Sequence, residues 1–243
     1  MIKRMMEGGS VPVVLLLAVL AACNEEPEPE PVEYSAYCSL YHFIELENSI
    51  EWEVDGVPVD WQQAYGSVVS GLVVLEEPSE EISFILRNSD NGEVIDSLHF
   101  NMTENANYLL TVFGTAGDTE SVFQKVPDTP PSGRNLNIQF LHTASGFDSL
   151  DIYAGGDEPE DRIVTGLTYS GLSGYLEIEE LSAQISITVT SSGGPADPDS
   201  AYLYYAYNDA LVRGRNYLSV IAPATTQPGS ELKLWLYTQP VDF

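Results

Sequence analysis

Basic side chains are scarce in this chain: 9 Lys and Arg stand against 37 Asp and Glu among 243 residues, with 3 His, for a formal charge of −28. A surface so acidic repels the phosphates of nucleic acids and anionic lipid headgroups, so no nucleic acid is expected as a partner. The same excess keeps a protein dissolved in salty surroundings and favours divalent or cationic ligands. Cysteine is nearly absent. The two copies, Cys23 and Cys38, form no disulfide framework, and neither Cys pairs nor His-x-x-x-His spacing offers a zinc site. Also missing is any apolar run of the roughly 20 residues that a membrane-spanning helix needs. Beyond the first residues no stretch keeps a helical period for about a dozen residues, so stable helices are not expected.

What is present at the start is an address. Lys3 and Arg4 precede an apolar run, Val11 to Leu20, closed by Ala21 and Ala22, the layout of a cleaved export signal rather than an anchor. Its end, Leu20-Ala21-Ala22-Cys23, resembles the lipobox of bacterial lipoproteins. That resemblance implies a signal peptide over residues 1–22, acylation of Cys23 (palmitate among the acyl chains), and a mature protein held to the membrane by its N-terminal lipid. Residues 23–34 alternate Pro with Glu, Asn and Val, stay extended and solvated, and suit a tether. Asn24 resembles the pattern sorted to the outer membrane in preference to the inner one, with the periplasmic face and the cell surface both open. Without residues 1–22 the chain keeps 7 basic and 36 acidic side chains, a formal −29. Cys38 then reads as a small, semi-buried residue at the start of the first strand. Were Cys23 unacylated, a Cys23 to Cys38 pair across the tether would be open in an oxidising compartment.

From Tyr34 onward the text reads as short strands. Ile50, Trp52 and Val54 alternate with Glu51 and Glu53, and Ile185, Ile187 and Val189 with Ser186, Thr188 and Thr190, the period of half-buried antiparallel strands. Asp55-Gly56 and Asn91-Gly92 mark tight turns, the second joining 82–86 to 94–98 as a hairpin. The fold class is all-β. Three prolines between Lys125 and Arg134 deny donors to any ladder and mark a linker over 125–135, separating modules at 35–124 and 136–243, each of a size for one β-sandwich and expected to fold by itself.

The two blocks read as copies. Leu40-Tyr41-His42 matches Phe140-Leu141-His142 and Ile50-Glu51-Trp52 matches Leu150-Asp151-Ile152, at an offset of 100 residues; Tyr65-Gly66-Ser67 matches Tyr169-Ser170-Gly171, and Asn107-Tyr108-Leu109 matches Asn216-Tyr217-Leu218. The second copy, with 138–144, Leu150-Asp151-Ile152-Tyr153, Ser173-Gly174-Tyr175 and the alternating 185–189, resembles the exported bacterial modules catalogued as domain of unknown function 4397. Thr143 separates the His and Ala that are adjacent in that pattern, and the first copy keeps His42 but follows it with Phe43 and Ile44. The resemblance implies tandem immunoglobulin-like sandwiches in the cell envelope and supplies no reaction.

Chemistry is thin. Gly171-Leu172-Ser173-Gly174-Tyr175 has Tyr where a nucleophile elbow needs its second Gly. His42, His99 and His142 have no neighbouring nucleophile or ligand pattern, and His42 and His142 read as core or turn hydrogen-bonders. No cofactor motif is present. Asp157, Glu158, Glu160 and Asp161 crowd one loop that could hold calcium weakly, though without the ligand order of an EF-hand. Tyr202 and Tyr204 on one strand face, with Tyr205 and Tyr207 on the other, offer an aromatic row for a protein or glycan partner in the envelope. The expectation is a lipid-anchored, non-catalytic binding or structural protein. A periplasmic enzyme and a calcium-dependent adhesive surface protein are the alternatives.

Overall fold

In the computed structural model, every element among the described residues from Tyr34 onward is extended save one 3-10 turn, Pro159–Asp161. The structure describes residues 33–239 apart from 47–48, 134, 157, 180–185, 196, 198, 200, 207–210 and 227–229, and the side chains of 60–61, 179 and 206. The signal, Cys23 and most of the tether lie outside these. The first copy comprises β1 (Tyr34–Glu45), β2 (Ile50–Val54), β3 (Val57–Gln63), β4 (Val68–Leu75), β5 (Ser79–Asn88), β6 (Val94–Thr103), β7 (Asn107–Thr115) and β8 (Asp118–Lys125). The second comprises β9 (Asn135–His142), β10 (Leu150–Ala154), β11 (Arg162–Leu167), β12 (Leu176–Glu179), β13 (Ser186–Ser191), β14 (Leu203–Ala206), β15 (Asn216–Pro223) and β16 (Leu232–Thr238).

Strand for strand the copies match. Sheets of order β4-β1-β7-β8 and β3-β2-β5-β6 recur as β12-β9-β15-β16 and β11-β10-β13-β14. In each copy one pair is parallel, β1 with β7 and β9 with β15, the only departures from antiparallel pairing among the described ladders. Asp55 and Gly56 take φ of 47° and 76° between paired Val54 and Val57, which is the two-residue turn that an Asp-Gly pair encodes. The β5–β6 hairpin closes instead on a longer loop: Asn88 N donates to Glu93 O, and Gly92 N to Asn88 O. Each copy also ties down its penultimate strand with a tyrosine five residues past its target. Tyr108 Oη accepts from Thr103 N at 3.0 Å, and Tyr217 Oη from Val212 N at 2.8 Å, the device called a tyrosine corner in immunoglobulin-type sandwiches.

Alternation assigns two cores by sheet face. Ala36, Cys38, Leu40, Tyr108, Leu110 and Val112 face Trp52, Ile82 and Phe84 across the first sandwich, while Leu136, Ile138, Phe140 and Tyr217 face Ile152, Ile187 and Val189 across the second. The expectation of polar, solvated outer faces fails for β13, where Thr188 and Thr190 are each only 2% exposed. It fails most on β1, β7, β9 and β15. Their outward residues Tyr41, Phe43, Leu109, Phe113, Leu141, Leu218, Val220 and Ala222 form a third buried core with Val126, the two inner sheets packing face to face.

This third core corrects the expectation of separately folding modules. Tyr34–Phe243 is one compact unit, and Val126, at the head of the proline-rich segment, is fully buried with its N–H on Asn107 O. The contact is reciprocal, as in a two-fold dimer. Tyr65, in the β3–β4 turn, donates to Pro223 O at the end of β15, and its counterpart Tyr169, in the β11–β12 connection, packs edge-on against Phe113 at the end of β7. Tyr237 Oη donates to Gly66 O at 2.7 Å, and Phe43 meets the rings of Tyr65, Trp235 and Tyr237 at 5.6, 5.8 and 6.2 Å. Gly66 holds φ of +69°, and a Cβ there would lie 2.4 Å from the Trp235 ring, so glycine is required by both backbone and neighbour.

Truncation of Phe43, which is 1% exposed, should therefore cost about 3 to 5 kcal/mol, the usual range for a buried aromatic. Calorimetry of Phe43→Ala should show one lowered transition, with hydrogen-exchange protection lost in β15 and β16 as well as in β1. A stable β9–β16 half beside a melted first half would contradict the shared core.

Candidate functional site

The three histidines are not brought together. His99 is exposed on β6, whereas His42 and His142 are fully buried at equivalent ends of β1 and β9. Each of these two lies edge-on to the tyrosine of its own turn, Tyr65 or Tyr169, at 6.2 Å. His42 Nδ1 donates to Gln63 O at 3.1 Å, and its Nε2 has no partner. His142 Nε2 donates to Asp148 O at 3.3 Å while its Nδ1 accepts from Ala144 N. Both rings are turn clamps. Burial depresses their basicity, to about 4 for His42 and in the same direction for His142, against partial compensation from backbone carbonyls. Among the described residues the hydrogen-bond partners of both rings are backbone groups. Ser173 of the near-miss elbow accepts from Phe140 N and donates to Gly174 O, which spends its hydroxyl on the β9–β12 crossing.

The acidic loop is exposed and bonded to itself, with Glu158 and Glu160 in solvent. Asp161 Oδ2 accepts from Glu158 N at 3.1 Å, closing the 3-10 turn, and Asp157 lies outside the described residues. Among the described residues no three His, Cys, Asp or Glu side chains are gathered as an ion would need. The carboxylate that does organise its surroundings is Asp151 on β10. It is buried, accepting from Gly166 N at 2.7 Å, Gly193 N at 3.0 Å and Arg162 Nη1 at 3.2 Å. Desolvation pushes its pKa up, but these backbone donors, with Ser192 and Arg162, hold it below the usual carboxylate range. Two glycine N–H groups, one guanidinium and Ser192 bind it, so it is a clamp between β10, β11 and the turn after β13. Cys38 is buried against the first core, and that burial pushes its thiol pKa up, which marks packing rather than reactivity.

The tyrosine row is where side chains reach solvent. β14 is an edge strand, and Tyr202, Tyr204 and Tyr205 at its start and middle are 44%, 50% and 40% exposed. Leu203 anchors the strand in the second core opposite Val189, Tyr204 stands opposite Thr188, and Tyr202 meets Phe147 edge-on at 5.3 Å. Tyr207 lies outside the described residues. A second concave surface, missed in the sequence because it needs both copies, is a groove between the inner sheets. Tyr37, Ser39, Tyr237 and Gln239 line it, with Arg215 at its margin. Gln239 is 1% exposed, accepts from Tyr175 Oη at 2.8 Å and leaves its Nε2 unpartnered.

The buried rings give a pH signature. The unfolded imidazole titrates near about 6.5, so between there and about pH 4 the unfolded chain takes up a proton that folded His42 refuses. Stability therefore falls as pH drops through that window, by roughly 3 kcal/mol for this ring alone. Urea midpoints at pH 7.5 and 4.5 should differ less for His42→Gln than for wild type, while carboxylate contributions common to both cancel.

No family model matches the chain, and no curated protein matches it. Among solved structures it is similar to a family 26 carbohydrate-binding module of Eubacterium rectale in complex with maltoheptaose, at 10% identity over 85% of this chain and 97% of that one, TM-score 0.27. It is also similar to family 41 carbohydrate-binding modules from streptococcal virulence factors, at 13% identity over 82% and 96%, TM-score 0.27. A third similarity is to a fimbrial assembly protein of Parabacteroides distasonis, at 10% identity over 85% and 96%, TM-score 0.23.

Proposed function

We propose that this is a lipid-anchored protein of the cell envelope, on the outer membrane, that recognises a protein or glycan without catalysing a reaction. The observation that carries the recognition reading is the β14 edge, where three tyrosines are solvent-exposed on a strand anchored by Leu203. Tyrosine presents a rigid, amphipathic surface at low entropic cost, the kind of side chain that dominates recognition energetics. The polar groups that could have served an enzyme are occupied instead: His42 and His142 in turns, Ser173 and Asp151 in backbone clamps. Anchoring rests on Leu20-Ala21-Ala22-Cys23 and the Pro/Glu tether after it. Kinship with the exported modules that the second copy resembles is part of the same reading, and the one-to-one matching of β1–β8 with β9–β16 supports a tandem origin.

Cells fed labelled palmitate should label the wild-type protein and leave Cys23→Ala unlabelled and in the aqueous phase of a detergent partition. Equal partition of both forms into the aqueous phase would remove the anchor from the account. For recognition, envelope pulldown and glycan arrays should be run with wild type and with Tyr202→Ala combined with Tyr204→Ala. The double variant should keep its melting temperature and lose roughly 30-fold or more in affinity, the scale of an aromatic anchor worth about 2 kcal/mol or more. Loss of folding instead of binding would assign these rings to packing.

A further inference from the structure

The first sandwich carries an edge strand of another kind. β4 runs eight residues, Val68–Leu75, at the free edge of its sheet without a charge or a proline. Edge strands ordinarily carry such residues, because a bare row of N–H and C=O groups templates another strand. Its counterpart β12 has that protection, being four residues long with the exposed Glu177 between Leu176 and Ile178. On β4, Val68, Leu72 and Val74 are 40%, 64% and 68% exposed, and Val57 on the neighbouring edge β3 is 66% exposed. Between β3 and β4 the two sheets part, leaving an apolar crevice of about 390 Å³ that reaches Leu40 and Phe84 of the core. Gly71 stands on this crevice opposite Cys38, and a Cβ there would meet nothing within 4 Å.

Charge selects among occupants. The side chains lining the crevice include Asp55 and Glu76 and no Lys or Arg. A strand from a second copy of so acidic a chain is repelled, and the chain's own tether is unsuited, since Pro27, Pro29 and Pro31 deny ladder donors and the rest is largely Glu. We propose that β4 accepts an extended peptide strand from another protein, apolar at alternate positions and basic at its ends. Its main chain continues the β4 ladder and alternate side chains enter the crevice, the physics of strand addition. This site is separate from the β14 tyrosines and stands or falls without them.

The probe is a fluorescent synthetic peptide of alternating valine and threonine with two lysines at each end. The controls are a glutamate-ended version and one with proline at alternate positions, all titrated into the full mature protein. The lysine-ended peptide should bind with Kd on the order of 10 to 100 μM, both controls at least about tenfold more weakly, and added salt should weaken it. Hydrogen exchange should slow in Val68–Leu75 on binding. Gly71→Leu, which fills the crevice where space is free, should lose binding at least about tenfold with an unchanged or raised Tm; Val74→Lys, at an already exposed side chain, should do the same and serves if Gly71→Leu does not fold. Absence of binding at millimolar peptide, equal binding by folded Gly71→Leu or Val74→Lys, or a wild-type dimer that Val74→Lys dissolves would each overturn the proposal, the last by assigning the edge to a second copy.

Discussion

The contact on which the rest of the molecule depends is the packing of one inner sheet against the other. β1, β7, β9 and β15 are apolar on both faces, and all eight residues of β15 are buried. Each sandwich could fill its own interior and still present an apolar face, and exposed apolar faces of that kind call for a partner. The two copies solve this mutually. Tyr41, Phe43, Leu109 and Phe113 cover Leu141, Leu218, Val220 and Ala222, with the turns at Tyr65 and Tyr169 closing the two ends. A tandem repeat has thereby become the single-chain equivalent of a two-fold dimer, and the proline-rich connection is a short crossing whose first residue, Val126, belongs to the shared core.

With the two inner sheets covered, polar chemistry inside the molecule serves shape. His42 and Gln63 knit β1 to the β3–β4 turn: Gln63 Nε2 donates to Leu40 O and to Ser67 O at 2.7 Å each, and its Oε1 accepts from Trp52 Nε1. His142 and Asp151 do similar work in the second copy with different partners. Equivalent places in the repeat are thus held by non-equivalent bonds, which is how two copies keep one topology while their surfaces diverge. Exposed aromatic and apolar side chains lie at the perimeter instead: the tyrosine edge at β14 and the uncharged edge at β4, on different sheets of different copies.

Much of this was legible in residues. Strand periodicity at Ile50, Trp52 and Val54, the Asp55-Gly56 turn, and the paired motifs at His42 and His142 gave an all-β tandem repeat, and the repeat order held through all eight strand pairs. Alternation along 202–205 sets Tyr204 and Tyr205 on opposite faces; that both are exposed comes from the place of β14 at a sheet edge, which alternation does not carry. The shared core was also written there, in Leu40-Tyr41-His42-Phe43-Ile44 and Tyr217-Leu218-Ser219-Val220-Ile221-Ala222. These runs do not alternate, and a strand without alternation is buried on both sides. The prolines after Val126 obscured that reading, because local backbone chemistry marks where a ladder ends and carries no information about whether the flanking sheets touch. Asp151 was illegible for a related reason: its donors, Gly166 and Gly193, are brought to it by long-range pairing of β10 with β11 and β13.

The central claim is that the face-to-face core makes one cooperative body, and the most direct measurement separates its halves. Residues 135–243 produced alone, and again with 34–126 supplied in trans, should be compared by NMR and sedimentation. The account predicts that the isolated half is unfolded or self-associates through its bare inner sheet, and that the complementary half restores a dispersed one-to-one complex. A monomeric, well-dispersed isolated half with the stability it has in the intact chain would contradict it.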